Sequence, residues 1–190
     1  MNVRLLGDLL REEVTSTAIP APERSGLHAS AQDNLTMVHA YLTDGDTFLK
    51  SDDPVNALAA YCYGEGWLHC GAACGFLRIG IPQCLCNHTS GRLPHTASGK
   101  LEEKTMRYER LLAAARAAVR PAPEAGSALH LIAERVAIVA GVYARLGRRS
   151  RDQGNFESAL AFFSYGHGWL DAGVRGGLFI VLSDRDLFTI

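Results

Sequence analysis

The sequence predicts an all-α protein, built as two tandem three-helix-bundle units packed as a pseudo-symmetric pair. Three observations predict it. The chain repeats itself at an offset of 102 residues, each copy carries helical apolar stripes, and capping residues mark the helix ends at matching places. The repeat is clearest between Asp53–Leu77 and Asn155–Phe179, where ten of 25 positions are identical. "YGEGWLHCG" (63–71) returns as "YGHGWLDAG" (165–173), Tyr41 and Gly45 return as Tyr143 and Gly147, and "PAPE" at 20–23 returns at 121–124. A match over most of a unit is the mark of a duplication rather than of one shared motif. The boundaries read as unit 1 over 1–79, a linker over 80–100 and unit 2 over 101–190.

The first helix of each unit is expected over about 3–17 and 101–119. Leu5, Leu6, Leu9 and Leu10 sit at helical spacing, as do Tyr108, Leu111, Leu112 and Ala115. The prolines of "PAPE" end both helices, because proline cannot continue a helix and restricts the residue before it. The second helix is expected over about 30–50 and 128–152. Ile132, Val136, Val139, Tyr143 and Leu146 form a single apolar stripe there. The third helix begins after Asp53 or Asn155, each a natural N-cap, with Pro54 at a first helical position and Gly154 ending the helix before. The turn between second and third helices is short, so the two are antiparallel neighbours. Residues 80–100 are rich in Gly, Pro, Ser, Thr and His and show no periodicity.

Within the repeated string, Gly64, Gly71 and Gly75 fall on one arc of a helical wheel. Helical glycine costs about 1 kcal/mol relative to alanine, so its repetition points to close approach of another helix backbone. Gly66 lies on the opposite side and is left unexplained by this arc. The units are expected to pack through their third helices, as a homodimer of single units would. Tyr63 and Trp67, one turn apart, and their copies Tyr165 and Trp169 read first as core anchors. As a second reading they form the wall of a small-molecule or nucleotide site, with His69 and Asp171 as its polar members. Those two positions differ between the copies, as do Glu65 and His167, and are expected on the solvated surface.

Other chemistry is weakly signalled. All five cysteines (Cys62, Cys70, Cys74, Cys84 and Cys86) lie in the first unit and linker, near His69, His88 and His95. Thiolate and imidazole suit zinc, but no C-x-x-C knuckle appears, and Cys70 and Cys74 take the places of Ala172 and Gly176. They are read as small packing residues, and no metal or cofactor is expected. Arg145, Arg148, Arg149 and Arg151 end the fifth helix of the chain, where positive charge complements the helix dipole. Their alternative reading is an RNA contact, present in one unit only. No phosphate loop, dinucleotide fingerprint or catalytic triad order appears, so no catalytic residue is assigned. A net charge of −1 argues against a nucleic-acid coat, and no apolar run approaches the length of a membrane span. A cytoplasmic setting is the expectation, since the N-terminal apolar run is broken by Asp8, Arg11, Glu12 and Glu13.

The segment "ALAFFSYGHGWLDAGVRGGLF" (159–179), preceded by "DQGNFES", resembles the archaeal family called Domain of Unknown Function 357. The resemblance is close over about 40 residues of the second unit. In the first unit His69 and Ala73 replace the signature's acid and arginine, which stand at Asp171 and Arg175 in the second. The resemblance implies a small three-helix bundle per unit and single-unit relatives, and it brings no known activity. A tetratricopeptide reading of "GNFESALAFFSYG" fails on period, which should be 34 residues. The function expected is that of a non-enzymatic structural or protein-interaction module, partnered by another protein or by itself.

Overall fold

The computed structural model describes residues 3–80, 93 and 97–189. Cys84, Cys86, His88 and His95 lie outside the described residues, with most of the segment read as linker. Among these residues six helices carry the fold: α1 (Val3–Thr15), α2 (Gly26–Lys50), α3 (Pro54–Ala73), α4 (Ser98–Ala117), α5 (Ala128–Asp152) and α6 (Phe156–Arg175). Also among the described residues are two short strands, β1 (Val119–Pro121) and β2 (Phe179–Val181), and a 3₁₀ turn at Arg185–Leu187. The α4 helix begins at Ser98, inside the segment assigned to the linker.

The caps repeat at the 102-residue offset. Asp53 accepts a hydrogen bond from the Asn56 amide, and Asn155 from that of Ser158. Ser25 and Ser127 cap α2 and α5 by accepting from the amides of His28 and His130. Each of those histidines turns Nδ1 back to a carbonyl of the preceding turn, of Ala21 or Pro123. The strands repeat too. Arg120 pairs with Ile180 between β1 and β2, and Ala18 pairs with Arg78 at the matching place in unit 1.

Helices α3 and α6 run through the middle. Every residue from Ala57 to Gly71 is buried, and so is Glu157 to Val174 apart from half-buried Phe162. A helix apolar on all sides needs cover on all sides. The other four helices supply it, and the core is continuous across both units.

The glycines divide into three roles, which corrects the single arc drawn from the wheel. Gly64 and Gly166 face the second helix of their own unit, where an added Cβ would stand 3.0 Å from the Cβ of Tyr41 or Tyr143. Gly71 likewise meets Asn34 and Gly173 meets Val136. Gly75 and Gly177 lie past the helix ends at positive φ, 78° and 76°. There the amides of Phe76 and Leu178 reach back to the carbonyls of Gly71 and Gly173, closing a Schellman cap. Gly66 and Gly168 make the contact between units. A Cβ on Gly66 would collide with the Tyr165 carbonyl oxygen and stand 3.2 Å from the Gly168 α-carbon. A Cβ on Gly168 would collide with the Tyr63 carbonyl oxygen. The two helices therefore cross backbone to backbone at the one pair the wheel left over.

Gly168→Ala puts a methyl group against immovable backbone. It is expected to cost about 3 kcal/mol, the upper end of ordinary overpacking. Gly26→Ala, in open space at the start of α2, should change stability by less than about 0.5 kcal/mol. Urea unfolding of both variants checks the pair, and similar midpoints would contradict the crossing.

Candidate functional site

The residues flanking the crossing are polar and buried, which corrects their assignment to the solvated surface. Glu65 and Asp171 have no exposed area, while His69 is 5% and His167 4% exposed. On α3 the acid precedes the histidine by one turn, as Glu65 and His69. On α6 the histidine comes first, as His167 and Asp171.

Each unit's tyrosine reaches across to the other unit. Tyr63 donates its hydroxyl to Asp171 Oδ2 at 2.9 Å. Asp171 also accepts from the Thr189 amide at 2.8 Å and the Thr189 hydroxyl at 2.7 Å. Tyr165 Oη lies 2.8 Å from His69 Nδ1, and His69 Nε2 lies 3.1 Å from Glu13. Burial opposes charge on His69, but the hydrogen bond to Glu13 and the charges of Glu65 and Glu13 outweigh it and raise its pKa. Burial dominates at His167 and lowers its pKa, despite Asp171 and the Leu187 carbonyl. A neutral His167 donates Nε2–H to that carbonyl at 3.1 Å. Its Nδ1 is then an acceptor, buried and without a hydrogen-bond partner among the described residues.

His167 borders a cleft of about 320 Å³ between the units. Tyr41, Tyr63 and Tyr108 form its aromatic walls, with Phe48, Ala60 and Leu111 between them. The Tyr41 and Tyr63 rings lie 4.6 Å apart, centre to centre. Burial pushes the Tyr41 hydroxyl up to about 12 and that of Tyr63 well above its ordinary value, so both stay protonated. Lys104 sits over the Tyr108 ring at 5.3 Å, a cation–π contact. Asn56 and Asp44 complete the lining, Asp44 as an exposed group.

The cleft is not symmetric. The 102-residue offset turns Ala60 into Phe162, Asp44 into Leu146 and Phe48 into Ser150. The Phe162 ring stands 5.8 Å from Tyr143, the copy of Tyr41. A benzyl group thus occupies, on one side of the pseudo-twofold, the room that Ala60 leaves on the other.

Of the six residues put forward for a ligand wall, only Tyr63 borders this cleft. Trp67 and Trp169 are core residues, 0% and 6% exposed. Trp67 borders a hollow of about 40 Å³ beside Asn34 and Arg175. Tyr165, His69 and Asp171 tie the units together. Cleft-lining Tyr41, Ala60, Lys104, Tyr108 and His167 escaped the sequence reading. Their signal was the failure of the repeat at Ala60. Among the basic residues, Arg151 is paired with Glu109 and Asp152. Arg145 and Arg149 are exposed and Arg148 partly so. Arg116 of α4 joins them, its pKa lowered by burial and by the charges of Arg148 and Arg145. Among the described residues no group of three or more His, Cys, Asp or Glu side chains is placed to hold a metal. No helix among them is long and apolar enough to cross a membrane.

The two buried histidines impose opposite pH dependences. His69, with its raised folded pKa, contributes stability that is full below the unfolded value of about 6.5 and is lost as pH rises through the folded value. His167, with its lowered folded pKa, contributes fully above about 6.5 and loses that as pH falls. His167→Gln keeps a donor for Leu187 and removes the second dependence. Its urea midpoint should fall more steeply from pH 6 to 8 than that of the parent, and an equal or shallower fall would contradict the assignment.

No curated protein and no solved structure matches the chain. The family model described as "Protein of unknown function (DUF357)" matches twice, at residues 7–77 and 107–179. Each match begins in the first helix of a unit and ends beyond its third, so the chain belongs to the DUF357 family as a tandem duplication of the family's unit.

Proposed function

We propose that this protein is a non-catalytic helical module whose inter-unit cleft binds a small, planar, anionic molecule. The single observation that carries this reading is the one-sided cleft: Ala60 leaves it open where Phe162 fills its counterpart. Three tyrosines offer flat apolar faces, which favour an aromatic or conjugated body. Lys104 is the cation among the described residues that line the cleft, and it favours a negative group at that end. His167 Nδ1, unpartnered among the described residues, accepts from a ligand O–H or N–H, which removes the cost of a buried, unsatisfied acceptor. Exposed Asp44 disfavours a second negative group at its own end.

The ionisable groups here support binding rather than reaction. The Tyr63 hydroxyl is spent on Asp171, and His167 Nε2 on a backbone carbonyl. Neither of these two atoms is free to take a proton, and burial, which lowers the His167 pKa, makes its Nδ1 a weak base suited to accepting a hydrogen bond. In this reading the duplicated core is the scaffold, a protein partner is secondary, and the arginine face is solvated rather than an RNA site. A cytoplasmic setting goes with it, in which free thiols stay reduced.

The probe is 1-anilinonaphthalene-8-sulfonate, an anion with a flat naphthalene body whose fluorescence rises on leaving water. The parent protein should bind one molecule per chain saturably. Ala60→Phe, which copies the other side, should abolish that signal without lowering thermal stability, and Lys104→Met should weaken binding about tenfold, the worth of one charge-assisted contact. Undiminished binding by Ala60→Phe would overturn the proposal.

A further inference from the structure

The geometry points to a second site, at the end of α3: Cys74 as a peroxide-reactive thiol and Cys70 as the thiol that resolves it into a disulfide. The two Sγ atoms lie 3.9 Å apart. Cys70 is 1% exposed, whereas Cys74, the C-cap residue, is partly exposed. A buried resolving thiol beside an accessible attacking one is the arrangement that stepwise oxidation needs.

The second unit carries Ala172 and Gly176 at these positions, so the pair belongs to one unit only. The surroundings differ in the same sense. In the second unit, Arg175 at the end of α6 grips Asp33 of α2 through two nitrogens, at 2.7 and 2.8 Å. The offset converts Arg175 into Ala73 and Asp33 into Arg135. That ion pair therefore has no copy, and Arg135 has no carboxylate within ion-pair distance among the described residues. Its charge acts instead on Cys74. The Cys70 thiol, donating its hydrogen, and the Arg135 guanidinium lower the Cys74 pKa against burial. The same pairing raises that of Cys70. The helix dipole opposes a thiolate at this end, but the carbonyls of Cys70, Gly71 and Ala72 are already engaged by the closing turn.

The chemistry balances with hydrogen peroxide as oxidant. The Cys74 thiolate attacks one peroxide oxygen, the O–O bond breaks and hydroxide leaves, giving a sulfenic acid. The Cys70 sulfur then attacks Cys74 Sγ, and the sulfenic oxygen departs as water. The sum is two thiols and one peroxide giving one disulfide and two waters.

The disulfide also has a structural consequence. Helical residues four apart hold their Cβ atoms about 5–6 Å apart, while a disulfide needs about 3.5–4.5 Å. The final turn of α3 must tighten, and the turn around Gly75 (φ 78°) is where it yields. Phe76 moves with it. Its ring lies over Gly176 of the other unit, so oxidation at this site is transmitted to the contact between units.

The test uses the full chain with Cys84 and Cys86 replaced by serine, leaving Cys62 and the pair. One equivalent of hydrogen peroxide should remove two hydrogens from the intact mass, with a Cys70–Cys74 cross-link in the peptide map that dithiothreitol reverses. Cys70→Ser should stop at a sulfenic acid on Cys74, trapped by dimedone, and Cys74→Ser should not react at that dose. A parent that gains oxygen without losing the two hydrogens would overturn the proposal, as would Cys74→Ser reacting as fast as the parent. Both serine variants replace small residues, and circular dichroism verifies their fold.

Discussion

Everything in this molecule depends on two helix backbones touching where neither has a side chain. Gly66 rests on the Tyr165 carbonyl and Gly168 on that of Tyr63. Only that approach brings α3 and α6 close enough to be buried together. Once they are, neither helix has a solvent face, and the other four helices become cover for a shared core. The other glycines within α3 and α6 follow from the same crowding. Gly64, Gly71 and their copies let α2 and α5 close over helices that already have a neighbour on the other side. Gly45 and Gly147 admit the rings of Tyr61 and Phe163.

Duplication within one chain changed what this interface can contain. A homodimer of single units repeats each residue on both sides of its axis, so it would bury two histidines or two acids at equivalent places. Here position 65 pairs in sequence with 167, and 69 with 171, each as one acid and one histidine. The buried set is therefore mixed in charge, and each member can be satisfied by a different partner. Tyr63 finds a carboxylate, while its copy Tyr165 finds an imidazole. The same freedom left Ala60 on one side and Phe162 on the other, and placed a thiol pair at the end of α3 alone.

Much of this was legible in the residues. The 102-residue offset, the helix order and the Asp53 and Asn155 caps can be read directly, because caps and periodicity are local. Ser25 and Ser127 carried the same kind of signal, in the repeated Ser-x-Leu-His, and extend the second helix four residues earlier than its apolar stripe. The Gly66 contact was not legible from a wheel, since a wheel assumes one packed face and α3 has two. The burial of Glu65 and His69 was signalled indirectly. From Ala57 to Gly71 they are the only acid and imidazole in a run of small and apolar residues, so no polar face exists for them to share. The cleft depends on Lys104 and Tyr108 of α4 and Tyr41 of α2 lining one space, a juxtaposition between units that no local pattern encodes.

Two homologous units that share one continuous core should unfold as one cooperative body rather than as two linked bundles. Trp67 reports on the first unit and Trp169 on the second, and both are buried. Urea unfolding of Trp67→Phe and Trp169→Phe, each followed by fluorescence of the remaining tryptophan and by circular dichroism, tests it directly. Within each variant the two transitions should coincide. A tryptophan signal that moves at a different urea concentration from the helical signal would show the units unfolding separately and would contradict it.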